Sequence, residues 1–205
     1  FTKDYYIGVY EFTQGQYKLF SGGTNPSSFK GQDDSDYRPV ESLTSTGYDP
    51  INAGLLTTIG TLGSQTGVAF TLPTEAQWEY AAHGGNGYPL PNGKGLKDAN
   101  LNDIAWWYGN SENRTHEVGT RDPNGYGLYD VVGNVWEICR DGWKTAYSDG
   151  KDAIDPCIPD SEATSQETAT ACANTTAGCP GYHSRRGGSW ENRSCTAYAR
   201  INGRY

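Results

Sequence analysis

The chain has 205 residues, of which 35% are hydrophobic, and it carries a formal net charge of −8 at pH 7. This acidic balance argues against unaided nucleic-acid binding, which requires a basic stripe. No apolar stretch approaches the ~20 residues of a membrane span. The length suits one domain, residues 1–205, and the 27 glycines and 15 tyrosines favour a loop-rich domain over a helical bundle.

The first third of the chain predicts short elements joined by loops. Aromatic and β-branched residues over 1–10 predict a strand. Thr13 and Gln16 have the spacing of a capping box, in which the Thr hydroxyl accepts a backbone N–H at the start of a helix. That helix is predicted to end at Gly22-Gly23. Three more elements follow in the prediction: a loop over 21–49, a helix over 50–59 and a strand over 68–71.

A second capping box predicts the next helix. Thr74 and Gln77 repeat the spacing, and the helix is predicted to run through His83 and to stop at Gly84-Gly85. Trp78 lies on this helix, and we interpret it as a core residue rather than a platform for a ligand. The residues that follow, up to about residue 103, are rich in Gly, Pro and Asn and predict a loop.

The aromatic and cysteine residues of the second half carry further predictions. Trp106-Trp107-Tyr108 is interpreted as core packing, with stacking on sugars or on a partner as the alternative. Residues 144–182 have little hydrophobic content and predict an insertion loop. The cysteines form no CxxC pair and no metal-ligand spacing with the histidines, so they predict disulfides in an oxidising compartment and no zinc site. They are Cys139, Cys157, Cys172, Cys179 and Cys195.

The most informative segment is Pro123-Asn-Gly-Tyr-Gly-Leu-Tyr-Asp-Val-Val-Gly-Asn-Val-Trp-Glu137. Its glycines permit positive φ angles and close backbone approach, so the chain can curl around a small target. Asp130 and Glu137, with the backbone carbonyls between them, would supply the oxygens that a hard cation prefers. The alternative is a glycine-rich loop whose polar side chains only cap its own amides.

Three segments in order carry a resemblance to a known family. They are Leu72-Pro-Thr-Glu-Ala-Gln-Trp-Glu-Tyr-Ala-Ala82, the segment ending at Glu137, and Arg186-Gly-Gly-Ser-Trp190. Together with Tyr6-Ile-Gly-Val-Tyr-Glu-Phe-Thr-Gln-Gly-Gln-Tyr17, they resemble the formylglycine-generating enzyme (sulfatase-modifying factor) family over nearly the whole chain. The resemblance implies an α+β fold of that family's C-type-lectin-like variant, loop-rich and with little regular secondary structure.

The same resemblance bears on catalysis. The family's enzymes oxidise a sulfatase cysteine with two copper-binding cysteines, two and seven residues after the aromatic residue of Gly-Gly-Ser-aromatic. Here those positions hold Asn192 and Ala197, which offer no thiolate for Cu(I). The resemblance therefore implies a domain that binds or assembles rather than catalyses, and copper is not expected. One alternative is a copper-dependent oxidase that uses the displaced Cys195; another is a structural subunit of a surface or filament assembly.

The resemblance also implies a disulfide and a calcium site. Many non-enzymatic relatives carry one cysteine near the position of Cys139 and one near that of Cys195. The resemblance therefore implies that these two cysteines are paired. One family calcium site uses an acid or amide, two backbone carbonyls and a glutamate. In this chain those groups fall on Asp130, the carbonyls of Gly133 and Val135, and Glu137.

Relatives without the copper cysteines bind ligands through the surface around Gly-Gly-Ser-Trp. The implied partner is a protein or a glycan, or further copies of the chain. Together with the disulfides, this implies an extracellular or cell-surface location, with the periplasm as the alternative. The ligand-binding surface implied here consists of Trp190, Glu191, Asn192, Arg193, Tyr198, Arg200 and Asn202.

Overall fold

The computed structural model describes residues 3–43, 53–142, 157 and 183–194. Short helices and one small sheet are joined there by long loops, which confirms the predicted loop-rich α+β architecture. The elements are α1 (Gln14–Phe20), α2 (Ala53–Thr66), α3 (Glu75–His83), β1 (Glu137–Gly142) and β2 (His183–Arg186), with 3-10 turns at Ser35–Tyr37 and Asp98–Leu101. The predicted insertion over 144–182 lies outside the described residues, apart from the exposed Cys157.

Both predicted capping boxes are confirmed. At the start of α1, the Thr13 hydroxyl accepts the Gln16 N–H at 3.2 Å, and the Gln16 side chain accepts the Thr13 N–H at 3.0 Å. The same reciprocal pair opens α3, with distances of 3.2 and 2.9 Å between Thr74 and Gln77. Helix α3 ends at Gly84, whose φ of 59° is in the left-handed region that glycine adopts without strain.

Helix α2 runs further than the sequence predicts. It continues through Gly60 and Gly63 and ends only before Gly67, whose φ is 72°. The helix places the buried Leu55 against the core of the N-terminal region. Tertiary packing of one helix face therefore outweighs the cost of the internal glycines.

Two predicted strands are wrong. The described residues of 1–10 form no strand, and a single backbone hydrogen bond from Tyr129 N–H to the Val9 carbonyl, 3.0 Å long, holds part of this segment. Residues 68–71 also form no strand, and Val68 and Phe70 remain about half exposed. The reason is the same in both cases: β propensity requires a neighbouring strand, and within the described ranges none lies alongside.

Strands β1 and β2 pair antiparallel, with Glu137 opposite Arg186. The fully buried Arg186 donates to Glu75 at 2.7 Å and also pairs with Glu79, both on α3. Its guanidinium carbon lies 5.0 Å from the centre of the Trp78 ring. This charged cluster therefore fixes the small sheet against α3.

Within the described ranges, the core consists of three hydrophobic clusters. Trp78 is 2% exposed, which confirms its predicted place in the core. The clusters are Trp78, Ala81, Ala82, Leu128, Val131 and Cys139; Leu90, Leu101, Ile104, Ala105 and Val132; and Tyr17, Val40 and Leu55. Val131 and Val132 belong to two different clusters. Packing on both sides therefore fixes the backbone at the start of the loop that follows them.

Candidate calcium loop and ligand-binding face

We call residues 130–137 the calcium loop, after the cation that the sequence predicts there. Its backbone is one that few residue types tolerate. Asp130, Gly133 and Asn134 have positive φ angles of 56°, 85° and 50°. A Cβ atom at Gly133 would collide with the carbonyl oxygen of Trp106. The tight glycine-dependent turn predicted from the sequence is therefore present.

Asn134 is the hydrogen-bonding centre of this loop and is completely buried. Its backbone N–H donates to the Trp106 carbonyl at 2.8 Å, and its backbone carbonyl accepts the Trp190 N–H at 2.9 Å. Its side chain accepts the His116 N–H at 3.0 Å and donates to the His116 carbonyl at 3.2 Å and to Glu11 at 2.8 Å. Four distant parts of the chain thus meet at one residue.

Asp130 is 1% exposed, and only one of its carboxylate oxygens has a hydrogen-bond partner. Oδ2 accepts the Gly119 N–H at 2.6 Å, whereas Oδ1 is buried without a partner. Burial raises the pKa of this carboxyl to about 6. A buried carboxylate oxygen with no partner is costly unless a cation or proton satisfies it.

Glu137 and Glu11 share the same electrostatic surroundings. Burial, followed by the charge of Asp130, raises the pKa of Glu137 to about 7, against a hydrogen bond from Trp78 that lowers it. Burial and the charges of Asp130 and Glu137 raise the pKa of Glu11 well above its ordinary range. Glu11 and Glu137 also border one partly open cavity of about 150 Å³. These three acids therefore oppose one another's ionisation.

The predicted ligand set fits a hard cation in its chemistry. It comprises two carboxylates and the carbonyls of Gly133 and Val135, which are oxygen donors of the kind that calcium takes. None of the backbone hydrogen bonds in the described residues ends on either of these carbonyl oxygens. Within the same ranges, no group of three or more His, Cys, Asp and Glu side chains has the geometry of a metal site. A cation at this loop would therefore need backbone as well as side-chain oxygens.

The described part of the predicted ligand-binding surface begins at a turn built by Asn192. The Asn192 side-chain oxygen accepts the Ser189 N–H at 2.6 Å and its hydroxyl at 3.2 Å, and the Asn192 N–H donates to the Ser189 carbonyl at 3.0 Å. This turn leaves Glu191 and Arg193 exposed. Asn192, at the position expected for the first copper-binding cysteine, therefore stabilises the turn through its hydrogen bonds to Ser189. Tyr198, Arg200 and Asn202 lie outside the described residues.

Tyr108 extends this surface, and the sequence pattern did not single it out from its two neighbours. Its N–H donates to the Asn192 carbonyl at 3.2 Å, and the Arg193 guanidinium carbon lies 4.7 Å from its ring centre. Trp190 is partly buried, edge-on to Phe29 at 5.5 Å. We call Tyr108 and residues 190–193 the tryptophan face.

The other two aromatic residues of the run are more enclosed. Trp106 and Trp107 are both partly buried, and Tyr108 is 47% exposed. Trp106 stacks on His116 with ring centres 3.6 Å apart, and the Arg121 guanidinium lies 3.6 Å from its ring centre. The core-packing interpretation therefore fits the two tryptophans better than it fits Tyr108. The exposure of the Tyr108 ring, which marks it as part of a surface, is visible only in the structure.

Cys139 lies completely buried on β1 as a free cysteine in this structure, and burial raises the pKa of its thiol well above the ordinary range. Its predicted partner, Cys195, lies outside the described residues. The Cys139–Cys195 disulfide therefore stays a prediction.

Residues 1–203 match the family described as the sulfatase-modifying factor enzyme 1-like domain. Because the match covers nearly the whole chain, the chain belongs to the formylglycine-generating enzyme (sulfatase-modifying factor) family. This confirms the resemblance found in the sequence. Asn192 and Ala197 occupy the positions at which the resemblance expects the family's copper-binding cysteines. No helix in the described ranges is both long and apolar enough to cross a bilayer.

Particular relatives differ in how much of the chain they match. It is 31% identical over 183 residues to the chaperone protein LppX of Paenibacillus barcinonensis, covering 66% of this chain and 61% of that protein. It is 39% identical over 100 residues to the formylglycine-generating enzyme of Bos taurus, covering 44% of this chain and 26% of the enzyme. Both matches span less than two thirds of the relative. The solved structure of Treponema denticola variable protein 1 aligns with a TM-score of 0.66 at 25% identity, over 95% of this chain and 76% of that one.

Proposed function

We propose that the chain is a non-catalytic ligand-binding domain that uses the tryptophan face. The observation that carries the proposal is Asn192, which replaces a copper-ligating cysteine with an amide engaged in the turn from Ser189. That turn presents Glu191 and Arg193 to solvent next to Tyr108. Tyrosine and arginine are residue types favoured at protein interfaces.

The partner we propose is an extracellular protein or a glycan. Two exposed charges of opposite sign beside an exposed tyrosine ring suit a polar ligand that also offers a flat apolar surface. The relative from Paenibacillus barcinonensis is named a chaperone, which supports protein binding in this family. The predicted disulfides support an oxidising location outside the cytoplasm.

The test of the missing chemistry is a turnover assay. A Cys-x-Pro-x-Arg peptide is incubated with the chain, Cu(I) and oxygen, with a formylglycine-generating enzyme as the positive control. We expect no formylglycine by mass spectrometry, because a single displaced thiol cannot form a two-thiolate copper site. Formylglycine that accumulates in proportion to the chain would contradict the proposal.

The test of the face is binding to arrays of glycans and extracellular protein domains. The triple variant Tyr108→Ala, Glu191→Ala, Arg193→Ala should lose the signal that the unmodified chain gives. Lys94→Ala, at an exposed position in the loop that follows α3, is the matched control and should bind normally. A signal that survives the triple variant would place binding elsewhere on the molecule.

We further propose that the calcium loop holds one calcium ion as a structural cofactor. The buried, unpartnered Oδ1 of Asp130 and the mutually opposed acids around it support this proposal. Asp130, Glu137 and the carbonyls of Gly133 and Val135 would hold the ion, whose charge would offset the repulsion between the carboxylates. The ion would stabilise the loop from which Asn134 reaches Trp190.

Elemental analysis of the purified protein and calorimetric calcium titration after stripping test this proposal. One ion per chain is expected, and Glu137→Gln should abolish measurable binding because it removes a charged ligand. Glu112→Gln carries the same change of charge on the surface and should bind as the parent does. Stripped protein that gives no calcium-binding heat would contradict the site.

A further inference from the structure

Glu11 connects the N-terminal segment to the calcium loop, more than a hundred residues further along the chain. Its side chain is 8% exposed. Oε2 accepts the Asn134 side-chain N–H at 2.8 Å, and Oε1 accepts the backbone N–H of Val135 at 3.0 Å. Both carboxylate oxygens therefore accept hydrogen bonds from the loop.

Glu11 and the Trp106 carbonyl each orient one of the two peptide groups that flank the Asn134 Cα atom. In a trans peptide the N–H and C=O point in opposite directions. The Asn134–Val135 peptide is held at both ends, because Glu11 accepts its N–H and Trp190 donates to its carbonyl at 2.9 Å. The Gly133–Asn134 peptide directs its N–H to the Trp106 carbonyl, which turns the Gly133 carbonyl to the opposite side.

Asn134 needs this support because its conformation is unusual. It is a non-glycine residue at a φ of 50°, completely buried within the loop. If the loop were not held, it would have to be ordered when the ion binds, and that ordering would weaken the affinity. An acid that holds Asn134 and Val135 in place before binding removes this cost.

We propose that Glu11 is a positioning residue for the calcium loop, which sets the affinity for the ion by holding Asn134 and Val135 and does not ligate the ion itself. This inference rests on the calcium site proposed above. Residues that orient metal ligands typically contribute about 10–100-fold in affinity. In Glu11→Gln, an NH2 donor faces one of two N–H donors, so one of the two hydrogen bonds is lost.

Calcium titration compares the parent chain with Glu11→Gln, Glu137→Gln and the surface control Glu112→Gln. We expect Glu11→Gln to raise Kd by roughly 10–100-fold, Glu137→Gln to remove binding, and Glu112→Gln to leave Kd unchanged. Glu11→Asp, whose shorter side chain cannot reach both donors, provides a second weakened variant that keeps the negative charge.

Amide hydrogen exchange in the calcium-free protein separates positioning from ligation. The Val135 and Trp190 amides should exchange faster in Glu11→Gln and remain protected in Glu137→Gln. Parent-like calcium affinity in both Glu11 variants would overturn the inference and leave the calcium site standing. Weaker affinity with unchanged exchange would make Glu11 a ligand, and parent protein that binds no calcium would overturn both the site and the inference.

Discussion

Asp130 and Glu137 have native pKa values of about 6 and about 7, above the ordinary range of carboxyl groups. An acid whose pKa is raised by folding stabilises the native state at low pH, and that stabilisation is lost as the pH rises through the native pKa. The pKa of Glu11 is raised in the same direction. At Asp130, the hydrogen bond from the Gly119 N–H and then the positive charge of Arg121 partly oppose the rise in pKa. In the absence of a metal ion, these acids should therefore make the stability of the native state fall as the pH rises.

We predict that calcium-free protein becomes less stable between about pH 5 and pH 7.5. Urea unfolding of calcium-stripped protein at both values should give the lower midpoint at pH 7.5. Saturating calcium should remove or reverse this trend, because the ion stabilises the ionised carboxylates. In the double variant Asp130→Asn, Glu137→Gln, the urea midpoint of the calcium-free protein should change less between the two pH values. This result would assign the pH dependence to these two carboxyl groups rather than to the acidic residues of the surface. A calcium-free midpoint that rises with pH would refute the prediction.

At the scale of the elements, the ion pairs of Arg186 hold β2 to α3. Arg186→Ala should cost about 3–5 kcal/mol of stability, because it leaves the buried Glu75 without its cation. Arg185→Ala is the matched control one residue earlier on the same strand. Arg185 is exposed and lies 5.8 Å from the Trp136 ring, so its loss should cost at most about 1 kcal/mol. If denaturant unfolding showed the same loss of unfolding free energy in Arg186→Ala and Arg185→Ala, the prediction would be contradicted.

A disulfide between Cys139 and Cys195 would join β1 to the chain that follows the tryptophan face. The pair would close a loop of about 55 residues, worth roughly 4 kcal/mol in the chain-entropy account. Peptide mapping without reduction should recover the two cysteines in one linked fragment. An alkylated Cys195 from native, unreduced protein would rule the pairing out.

Local sequence signals predicted the capped helices, whereas strand β2 and the contacts of the candidate site depend on residues far apart in the sequence. The capping boxes at Thr13 and Thr74 are complete within four residues, so the sequence alone located α1 and α3. Strand β2 was not predicted, because its buried Arg186 is stabilised by α3, more than a hundred residues away. Glu11 was missed for the same reason; an acid within an aromatic stretch was its only local signal.

Across the whole molecule, the calcium loop contacts the N-terminal segment through Glu11, the central loops through Trp106 and His116, and the C-terminal part through Trp190. Loss of the ion should therefore lower the stability of the whole domain. At a hundredfold excess over Kd, an ion bound at the proposed site would contribute about 2.7 kcal/mol to the free energy of unfolding.

For a chain of this length, that energy corresponds to roughly 5–10 °C in Tm. Scanning calorimetry with chelator should show one transition, moved to lower temperature by about this amount. A calcium-saturated sample of the same preparation is the control. Two separated transitions after chelation would show that the loop unfolds independently of the domain.

The tryptophan face is held by its backbone. Trp190 donates its N–H to Asn134, the Trp190 carbonyl accepts the Ser111 hydroxyl at 3.0 Å, and the Asn192 carbonyl accepts the Tyr108 N–H. The exposed side chains of Glu191 and Arg193 are therefore not needed to shape the backbone that carries them. Codons 191 and 193 can be randomised in a display library while Asn192 is kept, so new binding specificities can be selected on an unchanged framework.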